Sequence, residues 1–370
     1  MKILIICSNL IGDTILSSGV ISFLALENPK AKFTFVIGPT AKPLLQNFSR
    51  IEKVITIKKR KFNFHWIEIL RQCSGLKWDI VVDFRSSLLS FFLTKRKTYI
   101  FKKNENLHHV KQLNKSFGFD CSNLYIHTSP NEEKEVEKII DKQKKYFVIF
   151  PGGNWCPKIW PVEKYNTLLK KISSKNQNIK YIFVGSNIEK DLYYNKLVNG
   201  IDNELIVDLF GATLTLTAAY MKKSNLFIGN DSGLMHLATA CNLPTIALFG
   251  PTNDIVYGPW GEKNIVIRTK ENYNYFKKNV YKDNFNNVMF PFLGKEFYFS
   301  LFGNEGFVES QILIAYEKVE LFVNDFKNLI NFYKPIITLF SVKGMSGEHR
   351  YLRFEGNMIC LTFDIVKNQK

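Results

Sequence analysis

The chain has 370 residues, of which 46% are hydrophobic and 22% charged, a composition typical of a globular protein with two domains of ordinary size. Its formal net charge of +17 indicates either a well-solvated basic surface or one that meets an acidic membrane or acceptor, and the dispersed basic residues form no long arm of the kind that binds nucleic acid. No signal peptide precedes the first predicted strand, no apolar run reaches the roughly 20 residues that span a bilayer, and no cysteine has metal-ligand spacing, which predicts a cytoplasmic protein.

The first part of the chain alternates short apolar runs with longer amphipathic stretches. Strands are predicted at 2–7, 32–38, 54–57 and 79–84, and helices at 13–26, around 40–48 and around 62–73. A repeated strand–helix alternation of this kind predicts a parallel sheet with helices on both faces.

A charged helix, predicted at 131–145 from Asn131 and an acidic first turn, interrupts this alternation. The alternation then restarts, and further strands are predicted at 146–151, 180–185, 204–209, 225–229 and 245–250. The interruption predicts two doubly wound domains with a cleft between them, and ligands of such sheets bind at the carboxyl ends of the strands.

Two loops at predicted strand ends carry candidate functional residues. In "NLIGDTILSSGV" (9–20), Gly12 permits a tight turn, and Asp13 is either a helix cap or a general base at the floor of the cleft. In "PGGNWCPKIWP" (151–161), Gly152 and Gly153 let the backbone approach a ligand, and Lys158 is either a surface lysine or a phosphate partner.

The segment "GNDSGLMH" (229–236) has the strongest functional pattern. Asp231 and Ser232 are helix-cap residues, Gly233 opens the helix, and His236 lies about one turn further on. The first-turn N–H groups and the helix dipole favour an anion, so the pattern predicts a nucleotide diphosphate site, with an ordinary N-cap and a buried histidine as the alternative. "GPTNDIVYGPWG" (250–261) adds a third loop at the same sheet edge. No pair of carboxylates with D-x-D spacing lies at a strand end of this region, so a bound metal ion is not implied.

Together, "GD-x-x-L", "K-x-W-P" and "NDSGLMHLA…P…ALFGPT" resemble glycosyltransferase family 9, the ADP-heptose:lipopolysaccharide heptosyltransferases, over about residues 1–268. "HHVKQLNKSFGF" (108–119) is similar to an interior segment of the same family. The resemblance implies a GT-B fold of two Rossmann-like domains, with the acceptor bound by residues 1–130 and the nucleotide-sugar by residues 146–268.

The resemblance also implies roles for individual residues. Asp13 would be the general base for an inverting transfer without metal, and Asn9 and Gly12 would belong to the acceptor-side loop. The residues that would bind the donor are Gly152, Gly153, Asn154, Lys158, Asp231, Ser232, Gly233, Leu234 and His236. Many family members carry threonines where this chain has Gly153 and Asn154, so donor contacts there can differ.

Residues 288–366 have a different character and resemble, in part, the cap-domain end of a FAD-linked oxidase. The flavin-binding half of that family is absent, so no flavin is expected, and the segment is predicted to form a small α+β appendage. Alternating residues at 351–365 favour a hairpin with its turn at 355–357. The alternative is a diverged transferase ending.

The expected function is transfer of heptose, or a similar sugar, from an ADP-sugar to a lipopolysaccharide core or related glycolipid acceptor, without a cofactor. The expected location is cytoplasmic, with peripheral contact with the anionic inner membrane. A sugar-nucleotide epimerase on the same fold and a non-catalytic nucleotide-sugar-binding fusion protein remain as alternatives, together with a flavin oxidase.

Overall fold

The structure is a computed structural model that describes residues 1–57, 64–176, 178–269 and 271–279. The predicted appendage at 288–366, with its hairpin at 351–365, lies outside the described residues. No described helix is both long enough and apolar enough to cross a membrane.

Two parallel sheets organise the described residues. The strands are β1 Lys2–Ile6, β2 Lys32–Ile37, β3 Ile51–Thr56, β4 Trp78–Asp83, β5 Lys95–Ile100, β6 Lys145–Phe150, β7 Ile179–Gly185, β8 Ile206–Phe210, β9 Leu226–Asn230, β10 Thr245–Phe249 and β11 Ile265–Arg268. The α-helices are α1 Ile11–Leu16, α2 Ser18–Glu27, α3 His65–Cys73, α4 His109–Phe117, α5 Pro130–Ile139, α6 Val162–Lys175, α7 Asn187–Val198, α8 Leu214–Lys222, α9 Gly233–Ala240, α10 Asp254–Tyr257 and α11 Tyr273–Asn279. Short 3₁₀ segments cover Lys42–Leu45, Leu88–Phe92, Cys156–Lys158 and Asn203–Leu205.

The strand order changes direction once in each sheet. The first sheet has the order β3-β2-β1-β4-β5, and the second has the order β11-β10-β9-β6-β7-β8. Chain connections therefore leave β1 and β4, and likewise β6 and β9, towards opposite sides. A crevice opens at the carboxyl ends of these strand pairs, which is where ligands bind in open α/β sheets.

The inner strands of both sheets are buried on both faces, as expected for parallel strands covered by helices. In β10 every residue is buried, and in β2 only the first is exposed. One connected apolar cluster joins residues of the two sheets, while a second covers the other face of the first sheet. That second cluster includes Leu89 and Leu93, which pack beside Ile69 of α3.

The predicted alternation is confirmed, but several boundaries and two strands were missed. β5 reads "KRKTYI", whose charged residues disguise an edge strand, and β11 has only four residues. The helix predicted at 13–26 is interrupted at Ser17, and the helix predicted at 131–145 ends at Ile139. Its first residue is Pro130 rather than Asn131, because Ser129 and Glu132 form a capping box.

Direct hydrogen bonds connect the N-terminal segment to the second sheet's helices. Glu132 accepts from Asn47 Nδ2 at 2.9 Å and also from the Thr215 hydroxyl of α8. Lys222, at the end of α8, donates to the Ile126 carbonyl at 3.0 Å. These bonds hold the two sheets in a defined relation.

Asn230 ties the two central strands of the second sheet together where the strand order reverses. Its side chain is fully buried, and its Nδ2 donates to the carbonyls of Pro151 and Gly152 at 3.0 and 2.9 Å. Its Oδ1 accepts from the Trp160 N–H at 3.1 Å and from the Tyr165 hydroxyl at 2.9 Å. One amide therefore sets the position of the whole glycine-rich loop after β6.

We expect Asn230→Ala to destabilise the protein by about 3 kcal/mol or more, because several buried polar groups lose their partner at roughly 1–3 kcal/mol each. Chemical denaturation followed by fluorescence measures this change. Asn154→Ala, on an exposed position of the same loop, is the control and should leave the unfolding free energy within about 0.5 kcal/mol. Equal stabilities of the two variants would show that the Asn230 network contributes nothing.

Candidate functional site

A cavity of about 410 Å³ lies where the strand order of the first sheet reverses. Its lining residues are Ser8, Asp13, Ser17, Phe84, Arg85, Ser86, Phe101, Lys103, His109 and Tyr257. Those numbered 8 to 17 follow β1 and those numbered 84 to 86 follow β4, so the cavity is built from the two loops that the topology separates. Tyr257 is the last residue of α10, which follows β10, so the second sheet's side completes one wall.

Asp13 lies in the first turn of α1 and reaches this cavity. Its carboxylate accepts a hydrogen bond from the Ser8 hydroxyl at 2.9 Å, and the residue is half-buried. A negative charge in the first turn of a helix is stabilised by the helix dipole. Asp13 is not the N-cap residue of α1, which is Leu10, although it lies in the first turn and lines the cavity. Its role as a general base stays a prediction.

Arg85 brings a positive charge to the same cavity. Asp83, fully buried at the end of β4, accepts from the N–H of Arg85 at 2.9 Å and from the N–H and hydroxyl of Ser87, both at 2.8 Å. These bonds hold the loop after β4 in place. Burial raises the pKa of Asp83, and the hydrogen bonds from Ser87 and Arg85 partly offset that increase. The Arg85 guanidinium also lies 5.1 Å from the centre of the Trp66 ring.

Two further cavity residues place aromatic groups beside Asp13. The rings of His109 and Tyr257 stack with their centres 5.9 Å apart. Burial lowers the pKa of His109, although the Asp13 carboxylate acts in the opposite direction. Burial raises the pKa of Tyr257 to about 12, with smaller contributions from Asp13 and Asp231. Both rings are therefore neutral near pH 7, and Tyr257 lies near enough to Asp13 and Asp231 for both carboxylates to raise its pKa.

Lys158 and Asp231 form an ion pair where the strand order of the second sheet reverses. The Lys158 Nζ lies 2.8 Å from Asp231 Oδ2, and the two side chains are 21% and 6% exposed. Lys158 follows β6 and Asp231 follows β9, so the pair spans the crevice. In the structure the Asp231 carboxylate contacts this lysine, and direct contact of Asp231 with a diphosphate stays a prediction.

The first turn of α9 lies against the first turn of α1. Ser232 is the N-cap residue, and its hydroxyl accepts from the Met235 N–H at 3.3 Å. A Cβ on Gly233 would lie 2.9 Å from a methyl carbon of Ile11, and a Cβ on Gly12 would lie 2.8 Å from His236 Cδ2. Both positions therefore require glycine for this close approach, and the positive ends of two helix dipoles converge beside the cavity.

His236 is buried at this contact between the two helices. Burial lowers its pKa well below the ordinary value, and the nearby His108, His109 and Lys158 lower it further. Its Nδ1 has no hydrogen-bond partner among the described residues. A buried, neutral imidazole with an open polar atom beside a lysine is a group that a bound anion or hydroxyl could satisfy.

The glycine-rich loop after β6 is already engaged by a residue that the sequence reasoning missed. The Gly153 N–H donates to Glu189 at 2.9 Å, and a Cβ on Gly152 would collide with the same carboxylate. Glu189 also belongs to the capping box that begins α7. Asn154 is exposed. The S-x-x-E spacing at 186–189, directly after a predicted strand, was the signal that could have identified this residue.

The predicted residues thus lie at the cavity, at the start of α9 and in the loop after β6, with Asn9 as the exception. Asp13 faces the cavity, while Lys158, Asp231, Ser232, Gly233 and His236 surround the start of α9, with Leu234 half-buried in its first turn. Asn9 instead packs against Gly38, and its backbone carbonyl accepts from the Thr40 hydroxyl at 2.9 Å. Arg85, Lys103, His109 and Tyr257 were missed, although "HHVKQLNKSFGF" and "GPTNDIVYGPWG" contained the last two.

His108 connects the start of α4 to the loop after β10, and we call this contact the histidine latch. His108 caps α4 by accepting the Val110 N–H at 3.2 Å on Nδ1, while its Nε2 lies 2.9 Å from the Gly258 carbonyl. Its ring stacks on Trp260 at 4.7 Å, and the Trp260 Nε1 donates to the Ser122 carbonyl at 2.8 Å. Only the neutral tautomer with a proton on Nε2 can make both histidine bonds.

Comparison with known proteins gives a consistent family. Residues 73–288, more than half of the chain, match the model for "Glycosyltransferase family 9 (heptosyltransferase)". The chain is 26% identical over 294 residues to lipopolysaccharide heptosyltransferase 3 of Escherichia coli, covering 69% of this chain and 85% of that protein. It is 24% identical over 319 residues to lipooligosaccharide heptosyltransferase 2 of Haemophilus ducreyi, covering 72% and 88%.

Solved structures of similar proteins have the same fold. The crystal structure of the glycosyl transferase family 9 from Veillonella parvula superposes with a TM-score of 0.66 and 21% identity, covering 86% of this chain and 97% of that one. The E. coli ADP-heptose lps heptosyltransferase II superposes with a TM-score of 0.57 and 19% identity, covering 74% and 92%. These likenesses confirm the predicted GT-B fold of two Rossmann-like domains.

We expect stability to fall as the pH decreases from 6.5 to about 4, because burial lowers the pKa of His108 to about 4 from its ordinary 6.5. In that window the unfolded chain takes up the proton while the folded latch stays neutral. The loss of unfolding free energy from this residue is about 2–3 kcal/mol at most.

His108→Gln keeps a donor for Gly258 but removes the titration. Urea denaturation of both proteins between pH 4.5 and 7.5 should show a shallower pH dependence in the variant. Other buried histidines titrate in both proteins and cancel in the comparison. The same slope in both would mean that His108 is protonated as readily in the folded chain as in the unfolded one.

Proposed function

Because the chain belongs to glycosyltransferase family 9, we propose that it transfers a heptose, or a similar sugar, from an ADP-sugar to the core of a lipopolysaccharide or a related glycolipid. The chain is a glycosyltransferase enzyme by family. Its similar proteins are heptosyltransferases that act on lipopolysaccharide or lipooligosaccharide. One observation carries the proposal. The cavity of the first sheet is lined by the Asp13 carboxylate, and Lys158 places a positive charge at the start of α9 in the second sheet.

The donor diphosphate would bind at the start of α9. Lys158 supplies a positive charge that is 21% exposed, and Ser232 and the first-turn N–H groups of α9 supply hydrogen bonds and the positive end of the dipole. The diphosphate would share Lys158 with Asp231 and give a partner to the open nitrogen of His236. Gly152, Gly153, Asn154 and Leu234 would line the remaining donor site, with Gly153 coupled to Glu189.

Asp13 would act as the general base in a single displacement. The acceptor hydroxyl oxygen bonds to the anomeric carbon while its proton passes to the Asp13 carboxylate. The bond from that carbon to the diphosphate oxygen breaks, and ADP leaves with the electron pair. Attack from the cavity, on the face opposite the diphosphate, inverts the anomeric configuration. The hydrogen bond from Ser8 orients the carboxylate for this step.

The acceptor would enter through the cavity of the first sheet. Arg85 and Lys103 line it with two cations, which suits an acceptor with carboxylate or phosphate groups. A transferase with such an acceptor would work at the cytoplasmic face of the inner membrane, in peripheral contact with anionic lipid.

The reaction is also proposed to need neither metal nor other cofactor. Lys158 and the start of α9 would neutralise the charge that develops on the leaving diphosphate. Among the described residues, no group of three or more His, Cys, Asp or Glu side chains has the geometry to hold a metal ion. Transfer that continues at an unchanged rate in excess EDTA is the expected result.

Nucleotide binding tests the donor site. Calorimetry should show that ADP binds and that Lys158→Met weakens it by about tenfold or more, because a direct charge-assisted contact is lost. Lys164→Met, on α6, is the control and should bind ADP like the wild type. A preference for UDP or GDP would keep the fold and change the donor, and equal affinity of the Lys158 variant would remove Lys158 from the site.

Product analysis tests the reaction class. With ADP-heptose and a lipopolysaccharide core acceptor, the wild type should release ADP and extend the acceptor with inverted configuration, with and without EDTA. Asp13→Asn should lower kcat by about 100-fold or more, while the ADP Kd stays within about twofold. Product formed from the donor alone would indicate an epimerase, and wild-type turnover by Asp13→Asn would restrict Asp13 to a structural role.

A further inference from the structure

An exposed apolar patch lies on the connection between β4 and β5. The 3₁₀ segment Leu88–Phe92 connects β4 to β5, and its Leu88, Phe91 and Phe92 are 73%, 66% and 69% exposed. Single exposed apolar residues are normal in a folded protein, whereas three within five consecutive residues form a patch that requires an explanation. We name Leu88, Phe91 and Phe92 the apolar patch.

The patch is held rigidly rather than left on a loose loop. Leu89 and Leu93 of the same connection are buried beside Ile69 of α3. Ser90 is fully buried, and its hydroxyl donates to the Ser87 carbonyl at 3.2 Å. One side of the segment is therefore anchored in the core while the other side presents three large apolar side chains.

The patch and part of the cavity wall belong to the same connection between β4 and β5. Leu88 follows Ser86, which lines the cavity, by two residues, and Arg85 of the same wall lies over the Trp66 ring of α3. A bilayer that receives the patch would therefore contact the same connection that supplies Arg85 and Ser86 to the cavity wall.

The charge around the patch is strongly positive. Between Phe64 and Lys103 the chain has eight Lys or Arg and three Asp or Glu. Asp83 is fully buried, and Asp79 is partnered by Lys2 N–H at 2.7 Å and by Arg96 at 3.6 Å. Lys95, Arg96 and Lys97 follow the patch directly on β5, which is the edge strand of the first sheet. An apolar group with a cationic rim matches the headgroup region of an anionic bilayer.

We propose that Leu88, Phe91 and Phe92 insert into the surface of an anionic lipid bilayer, with Lys95 and Lys97 contacting the headgroups. The inference deepens the proposed function, because it assigns a docking surface to the membrane on which the glycolipid acceptor would reside. A second copy of the chain, or another protein, is the competing occupant.

Vesicle flotation with the full chain tests the surface. The wild type should bind vesicles of phosphatidylcholine and phosphatidylglycerol, bind vesicles of pure phosphatidylcholine much less, and be released by high salt. The triple variant Leu88→Ser, Phe91→Ser, Phe92→Ser should lose at least about tenfold in partitioning. Lys95→Gln with Lys97→Gln should reduce only the preference for the anionic vesicles.

A matched control uses apolar residues exposed on the second sheet's domain. Ile188 and Leu192 of α7 are 72% and 59% exposed but lie among charges of both signs. Ile188→Ser with Leu192→Ser should bind vesicles like the wild type. Equal losses in the control and patch variants, or vesicle binding by the triple variant at the wild-type level, would overturn the proposal.

Two further readouts separate this inference from the proposed function. The triple variant should keep the wild-type ADP Kd and the wild-type kcat on a detergent-free, soluble oligosaccharide acceptor, and should lose rate only on acceptor in vesicles. If the protein docks on vesicles through the patch but transfers no sugar, the membrane-docking inference stands and the proposed function is wrong. A wild-type dimer that the triple variant converts to a monomer would assign the patch to a second copy and overturn the membrane inference.

Discussion

All strands in both described sheets run parallel, and the order of the strands reverses once in each sheet. The loops that follow the two strands at the reversal then lead to opposite faces of the sheet. Neither loop covers the space between the carboxyl ends of those two strands. The open crevices between β1 and β4 and between β6 and β9 are the direct result. The cavity with Asp13 and the ion pair of Lys158 with Asp231 each lie in one of them.

The two crevices meet through two helix starts that approach closely. Gly12 and Gly233 make this possible, because a side chain at either position would collide with His236 or Ile11. Two positive helix ends so near each other repel, and the carboxylates of Asp13 and Asp231 offset part of that repulsion. A bound diphosphate would offset more of it, which makes the same geometry unfavourable without an anion and favourable with one.

Burial, rather than ion pairing, keeps the imidazole groups around this contact neutral. His108, His109 and His236 all have a pKa lowered chiefly by burial. A neutral His108 can accept the Val110 N–H and still hold the Gly258 carbonyl, so the latch between α4 and the loop after β10 depends on that protonation state. The positive charge in the two crevices therefore comes from the side chains of Lys158, Arg85 and Lys103.

The sequence alone determined the alternation of parallel strands and helices. Buried strands of parallel sheets are apolar throughout, and such runs can be recognised in the amino-acid sequence. It also determined the helix start at 232–233, since cap residues act within one turn and need no distant partner. Edge strand β5 escaped notice because an edge strand carries charges that resemble a loop.

Only the tertiary structure decided which side chains share a site. The pairing of Lys158 with Asp231, 73 residues apart, and the meeting of Tyr257 with Asp13 depend on strand order, and local sequence patterns do not encode that order. Asn230 is an unremarkable polar residue until the backbone groups that it binds are known. The capping-box spacing of Glu189 is visible in the sequence, but its bond to the Gly153 N–H is not. Helix caps and strand burial arise from neighbours in the chain, whereas cavities and ion pairs arise from the way in which distant segments pack.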